Sequence, residues 1–126
     1  MRETDQTIFE EGKGNCFAAC VASILEIPVS EVVHFSDGEC AEWRDVVNEW
    51  LSSRSLFFLD ISLPGDMRDS VVKYWGYHII MGDSPRVGDI RHAVVGYKGD
   101  IVFDPHPSRD GLKGNDWTYG LLIGRK

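Results

Sequence analysis

Positions 14–25 of the chain read GNCFAACVASIL, and this stretch decides the first half of the fold. Its side chains are small or apolar almost all round, which is typical of a helix buried at the centre of a domain. Asn15 belongs to the residue types that are favoured at helix N-caps. The stretch therefore predicts a central helix over Cys16 to Leu25 that is capped by Asn15.

Two further helices are predicted downstream of this stretch. Ser30 is expected to cap a short helix that carries Val32 and Val33. Between positions 43 and 51, apolar residues recur with the period of a helix and charged residues fill the other side, which predicts an amphipathic helix.

Strand-like runs separated by Gly, Pro and Asp clusters make up most of the remaining chain. They occupy positions 56–63, 77–81, 90–97, 101–104 and 118–123. Because helical patterns come first and strand patterns after, the sequence predicts an α+β domain. In this domain an N-terminal helical half packs on a C-terminal antiparallel sheet.

Composition places the chain among ordinary globular proteins. Its 126 residues, 43% hydrophobic and 26% charged, suit one domain spanning positions 1–126. A net charge of −7 argues against nucleic acid as a partner, since phosphate binding needs clustered Lys and Arg. Without an apolar run of about 20 residues or a signal-like N-terminus, we expect a cytoplasmic protein with no membrane partner.

The chain has three cysteines, Cys16, Cys20 and Cys40. Cys16 and Cys20 are neighbours on one helix face, where the geometry does not suit a disulfide, so free thiols in a reducing compartment are expected. The cysteines and histidines could in principle bind zinc, but the sequence contains no C-x2-C pair of the kind that zinc sites use. No metal and no cofactor is therefore predicted.

Cys16 stands where a thiol becomes reactive. A helix N-terminus contributes about half a positive charge, which stabilises a thiolate in the first turn. Gly14 lets the backbone approach a substrate closely, and the N–H groups around Cys16 are placed to face an oxyanion. The alternative is that Cys16 is only a small apolar residue at a helix start.

A hairpin at positions 91–104, RHAVVGYKGDIVFD, carries a histidine and an aspartate that are expected to meet. If a three-residue loop ends with Gly99 in the left-handed conformation, His92 lies directly opposite Asp104 on one sheet face. A two-residue loop, Lys98-Gly99, would put the two side chains on opposite faces unless a bulge intervened. In the first register a carboxylate orients an imidazole and stabilises its protonated form.

These pieces together resemble the papain-like cysteine peptidase superfamily. The motifs are GNCFAACVASIL at 14–25, HAVVGY at 92–97 and VFDP at 102–105. They are most similar to the bacteriocin-processing C39 peptidases and C39-like proteins, and small phage-encoded proteins share the layout. The resemblance implies a Cys16 nucleophile, a His92 base and an Asp104 that orients the histidine. It implies a hydrolase or acyltransferase that forms an acyl-enzyme with a peptide or a small amide.

The chain departs from the family pattern at the oxyanion position. The family usually has a glutamine about six residues before the nucleophile, where this chain has Glu10. Gln6 is the nearest upstream glutamine and is the candidate oxyanion donor, with a solvated terminal residue as the alternative.

Six residues flank the predicted triad in sequence and are candidates for binding an anionic or peptide-like substrate. They are Gly14, Asn15, Ser84, Arg86, His106 and Arg109. Two of them, Arg86 and Arg109, could instead be solvated charges. The competing hypothesis for the whole chain is a catalytically idle module that holds a small, nucleotide-derived ligand or blocks a partner protein.

Overall fold

The computed structural model of the chain describes residues 1–9, 14–33, 42–63, 65–86 and 90–124. The helices are α1 (Cys16–Leu25), a 3-10 turn (Val29–Glu31), α2 (Trp43–Ser52) and α3 (Gly65–Val72). The strands are β1 (Leu56–Ser62), β2 (Tyr77–Asp83), β3 (Arg91–Tyr97), β4 (Asp100–Phe103) and β5 (Lys113–Gly124). Within these ranges no helix is long and apolar enough to cross a bilayer.

The strands form one sheet in the order β1-β5-β2-β3-β4. Every neighbouring pair in this order is antiparallel. The last strand, β5, lies between β1 and β2 rather than at an edge, so the sheet depends on the C-terminal residues for its centre. The predicted α+β class with an antiparallel sheet is confirmed.

One hydrophobic core joins α1 and α2 to the sheet. The residues from Ala18 to Ser23 of α1 are all buried, and their small side chains let the helix lie close to β3. Phe17 holds α1 to the other elements through edge-on ring contacts with Trp43 of α2 and Phe58 of β1, at centroid distances of 5.5 and 5.1 Å.

A second core contains α3, a helix that the sequence pattern did not predict. Val72 of α3 packs with Ile80, Val94 and Tyr119, one residue from each of the three central strands. The segment GDMRDSVV has low intrinsic helix propensity and no helical apolar repeat, so tertiary packing stabilises it. The expectation that all helices precede all strands is therefore wrong.

The predicted cap at Ser30 is also wrong. Ser30 lies inside the 3-10 turn Val29–Glu31, which begins after Pro28. Val32 ends this turn and Val33 follows it, so neither valine belongs to a helix.

The hairpin between β3 and β4 has the second of the two registers that the sequence left open, a two-residue loop with a bulge. Tyr97 pairs with Asp100, so the loop is the two-residue Lys98-Gly99 and not a three-residue loop. Both loop residues have positive φ, 54° and 88°, as in a type I′ turn.

A β-bulge then shifts the pairing along this hairpin. Gly96 pairs with Ile101, but the next pair is Val95 with Phe103, so Val102 is an extra residue in β4. Without it, Asp104 would fall beside Ala93 and point away from the side of the sheet to which His92 belongs. With the extra residue, Asp104 falls beside Val94 instead. Asp104 is then a diagonal neighbour of His92 on the same side of the sheet, close enough for their side chains to meet.

We predict that Gly120 of β5 is required because the Phe58 ring of β1 packs against its backbone. A Cβ added at Gly120 would lie 2.8 Å from Cζ of the buried Phe58 ring and closer still to Cε1. Gly120→Ala should therefore lower the free energy of unfolding by about 1 to 3 kcal/mol in urea denaturation. In the same strand, a Cβ at Gly124 meets nothing within 4 Å, so Gly124→Ala is the matched control. Equal stability of the two variants would contradict this packing.

Candidate active site

Cys16 is the first residue of α1 and is partly exposed, whereas Cys20, one turn further on, is fully buried. Burial raises the pKa of the Cys20 thiol well above its usual value, and the negative charges of Cys16 and Asp104 add to the effect. Cys20 is therefore a protonated core residue. Of these two thiols, Cys16 is the one that solvent and a substrate can reach. The third, Cys40, lies outside the described residues, as does Glu10.

His92 and Asp104 form a buried pair. Nε2 of His92 lies 2.7 Å from Oδ1 of Asp104, and each side chain is at most 5% exposed. The same carboxylate accepts the backbone N–H groups of His106 at 2.9 Å and Gly111 at 2.8 Å. Burial raises the pKa of Asp104, but these hydrogen bonds outweigh it, so the pKa is lowered and the carboxylate stays ionised.

The other side of the His92 ring faces the nucleophile candidate. Because Nε2 is used by Asp104, Nδ1 is the nitrogen left for the hydrogen bond with Cys16. Burial lowers the pKa of His92, yet the hydrogen bonds and negative charges of Asp104 and Cys16 raise it to about 9. The predicted meeting of Cys16, His92 and Asp104 is thus present in the structure, although the hairpin register behind it differs.

Asn15 does not cap α1 with its side chain. Instead, its Oδ1 accepts the backbone N–H groups of Thr7 and Ile8, both at 2.9 Å, and its Nδ2 donates to Thr7 Oγ1. Asn15 therefore occupies the predicted N-cap position of α1, but its side chain bonds the N-terminal segment instead of the helix. Asn15 is 7% exposed, and its amide clamps residues 6–9, which we name the N-terminal strap, against the start of α1.

Gln6 begins this strap and is buried, at 6% exposure, so its interpretation as a solvated terminal residue is wrong. Its backbone N–H donates to Pro105 O at 3.0 Å, and its Nε2 donates to Ile8 O at 2.9 Å. Within the described chain, its buried Oε1 has no hydrogen-bond partner. The strap therefore lies between the start of α1 and the loop that follows Asp104.

The other predicted binding residues lie around the site with mixed roles. Gly14 is half-buried, two residues before Cys16. Ser84 is buried, and its Oγ accepts the N–H of Arg86, so it shapes a turn. Arg86 donates to Ser108 Oγ at 2.9 Å and thereby ties the turn after β2 to the loop after Asp104.

Arg109 is committed to ion pairing and loop structure. Its Nη1 lies 2.6 Å from Asp5 Oδ1 and donates to the carbonyl of Asp104, while its guanidinium lies over the Phe103 ring. It also lines an open groove of about 300 Å³ beside β4. These contacts make Arg109 a brace between the N-terminal segment and the loop after β4.

The His106 ring packs edge-on beside the His92 ring. Its ring is edge-on to His92 at a centroid distance of 6.4 Å and edge-on to Phe9 at 5.4 Å. Its Nδ1 accepts the N–H of Ser108 at 3.0 Å, so Nε2 is the N–H donor of the neutral ring. Burial and the charge of Arg86 lower the pKa of His106, which keeps it neutral at pH 7.

Comparison with protein-family models, with curated proteins and with solved structures found no match for this chain. The site is therefore interpreted from its own geometry. Sequence reasoning missed Thr7, Ile8 and Phe9, which the strap brings to the site. The one local signal was an apolar pair, Ile8-Phe9, in a polar N-terminal segment. In the described ranges, no three His, Cys, Asp or Glu side chains are grouped so that they could hold a metal ion.

We predict that the Asn15 clamp contributes measurably to stability. Asn15→Ala leaves the N–H groups of Thr7 and Ile8 without their acceptor, which should cost about 1 to 2 kcal/mol of unfolding free energy. Asn15→Asp keeps the acceptor oxygen and should lose less than half as much. Thermal and urea unfolding of both variants would measure this, and an unchanged Asn15→Ala would show that the clamp is not needed.

Proposed function

We propose that this chain is a papain-like cysteine hydrolase or acyltransferase. Cys16 acts as nucleophile, His92 carries the proton and Asp104 orients the histidine. One observation carries the proposal: a single imidazole hydrogen-bonds a buried, ionised carboxylate at 2.7 Å on one side and faces a helix-start thiol on the other. Such an arrangement is the general signature of an activated nucleophile.

The reaction follows from the charges of this pair. With a pKa of about 9, His92 is protonated at neutral pH. The reactive form of Cys16 in this proposal is the thiolate, whose charge the imidazolium stabilises. The sulfur attacks the carbonyl carbon of an amide, the C–S bond forms and the carbonyl electrons move to oxygen. When the intermediate collapses, the C–N bond breaks and His92 protonates the departing amine. Neutral His92 then takes a proton from water, or from an acceptor amine, which attacks the acyl-enzyme and releases Cys16.

The oxyanion needs donors that are placed before the reaction starts. The first turn of α1 supplies backbone N–H groups that have no acceptor within the helix. The buried Gln6 amide is the side-chain donor that we assign, since Nε2 carries a second N–H beyond the one that bonds Ile8.

The substrate in this proposal is a short peptide or a small amide. A domain of 126 residues has little material for a long peptide cleft. The residues around His92 come from short segments, which are the strap, the turn at Ser84 and the loop after Asp104. These segments suit a compact ligand better than an extended chain.

A binding module that has lost catalysis is the second candidate. The observation in its favour is that Gln6 already donates its amide to Ile8 O at 2.9 Å, which holds that side chain on the strap. The ligand of such a module would be small and anionic, with Arg86 beside His106 as the nearby cation.

The first test of the proposal is selective alkylation. Limiting iodoacetamide near pH 6, followed by mass spectrometry of peptides, should place the label on Cys16 because its sulfur is partly exposed, begins a helix and faces the protonated His92. Buried Cys20 should remain unlabelled, and Cys16→Ala should abolish labelling and turnover while Cys20→Ser keeps both.

Two results would contradict this assignment of the nucleophile. One is equal labelling of Cys40 and Cys16, because Cys40 would then be just as reactive. The other is a Cys16→Ala variant that still turns over a substrate, in particular if Cys20→Ser has lost activity while folded.

The second test is the alkaline limb of the pH profile. Protonated His92 is needed to expel the amine, and it is present below its pKa and lost above it, so kcat/KM should fall as the pH rises through about 9. Asp104→Asn removes a charge and a hydrogen bond that raise this pKa, so its alkaline limb should move to lower pH. Turnover of this variant should drop by less than the roughly 10⁴-fold seen in a serine triad. If the alkaline limb of the Asp104→Asn profile stays at the wild-type pH, Asp104 has no part in the reaction.

A further inference from the structure

Two large apolar side chains lie exposed on the strap beside the triad. Ile8 is 37% exposed and Phe9 is 53% exposed. Single exposed apolar residues are common on protein surfaces and need no explanation. These two differ because they are adjacent and because the backbone beneath Ile8 is fixed by hydrogen bonds next to the nucleophile.

The hydrogen bonds fix Ile8 against the residue that precedes Cys16. Its N–H donates to Asn15 Oδ1 at 2.9 Å, and its carbonyl accepts the N–H of Asn15 at 3.3 Å and Nε2 of Gln6 at 2.9 Å. A surface that is held in place before a ligand arrives loses little conformational entropy on binding. Ile8 is therefore held in a position that is suited to binding a ligand.

Phe9 extends this surface to the catalytic histidine of the proposed mechanism. Its ring contacts His106 edge-on, and the His106 ring contacts His92 edge-on, so three rings lead from the strap to the triad. His106 is neutral at pH 7 with its proton on Nε2, which makes it a hydrogen-bond donor without charge. An apolar wall with a few placed polar groups is the usual composition of a small-ligand site.

The cations nearby are already paired, which disfavours an anionic occupant. Arg86 donates to Ser108 and lies 4.0 Å from Asp110, while Arg109 is bonded to Asp5. An acidic ligand would have to displace these partners before it gained a charge contact.

We infer that Ile8, Phe9 and His106 form a subsite for an aromatic or long aliphatic side chain of a peptide substrate, next to the bond that Cys16 attacks. The apolar side chain lies on Ile8 and Phe9, and a substrate carbonyl accepts the Nε2 proton of His106. This inference rests on the proposed function and names the class of substrate.

The first experiment compares dipeptidyl chloromethyl ketones that alkylate Cys16 with loss of chloride. The Phe-Ala and Ala-Phe reagents place a ring at the first or the second position, Asp-Ala places a carboxylate at the first, and Ala-Ala has only methyl groups. At least one Phe reagent should inactivate the protein about tenfold faster than Ala-Ala, which is about 1.4 kcal/mol. Phe9→Ala should remove most of this preference.

Tyr74→Ala is the matched control, because Tyr74 is an exposed ring, 79% accessible, on the turn after α3. It should keep the wild-type ratio between the Phe and Ala reagents. A wild-type protein without preference, a preference that survives in Phe9→Ala, or a faster reaction with Asp-Ala would each overturn the subsite.

A second experiment separates the subsite from the reaction. In Cys16→Ala, N-acetyl-Phe-Ala amide and N-acetyl-Ala-Ala amide are titrated while the NMR signals of Ile8, Phe9 and the His106 ring are followed. The Phe ligand should shift these signals at several-fold lower concentration than the Ala ligand. If iodoacetamide fails to label Cys16 but these shifts occur, the proposed catalysis is wrong and the subsite stands. Equal effects of the two ligands overturn the subsite itself.

Discussion

The carboxylate of Asp104 is the group on which the geometry of the site depends. It accepts hydrogen bonds from the His92 ring and from the backbone N–H groups of His106 and Gly111. A buried carboxylate without such partners would be costly, so the imidazole and the loop after β4 adopt their positions together. Arg109 closes the same loop by donating to the carbonyl of Asp104. The acid thus positions both the proposed base and the loop that carries His106.

The bulge at Val102 explains how a tight hairpin delivers this carboxylate. A two-residue turn matches the twist of β3 and β4, but its regular register would turn Asp104 away from His92. One extra residue returns the Asp104 side chain to the side of the sheet that carries His92. It also bends β4, which is an edge strand of the described sheet. Bulges at sheet edges and beside active sites serve this purpose in many proteins.

Sequence patterns were sufficient where structure is local. The apolar stretch at 16–25 and the helical repeat at 43–51 predicted α1 and α2 almost to the residue. Strand-like runs between Gly, Pro and Asp clusters located the five strands, although β5 begins at Lys113, five residues before the predicted run. α3 was missed because it is stabilised by the packing of Val72 against the sheet and not by the helix propensity of its residues. The choice between the two loops at Lys98-Gly99 could not be made from sequence because both lengths suit the same residues, while Val102 carries no local mark of a bulge.

The N-terminal strap also could not be predicted from local sequence patterns. The contacts of Asn15 with Thr7 and Ile8, and of Gln6 with Pro105, join segments that no periodicity connects. By contrast, the three residues of the candidate triad were identified because each stands at a recognisable local position. Cys16 begins a helix, and His92 and Asp104 flank a hairpin.

The placement of β5 has a consequence for how this protein is made. The strand at Lys113–Gly124 lies at the centre of the sheet, and Gly111 just before it completes the bonding of Asp104. During translation, Cys16 is synthesised about 95 residues before Gly111. A nascent chain that ends before Gly111 lacks one of the hydrogen bonds that hold the Asp104 carboxylate. In the proposed function, Cys16 therefore gains its oriented imidazole only after the centre of the sheet is in place.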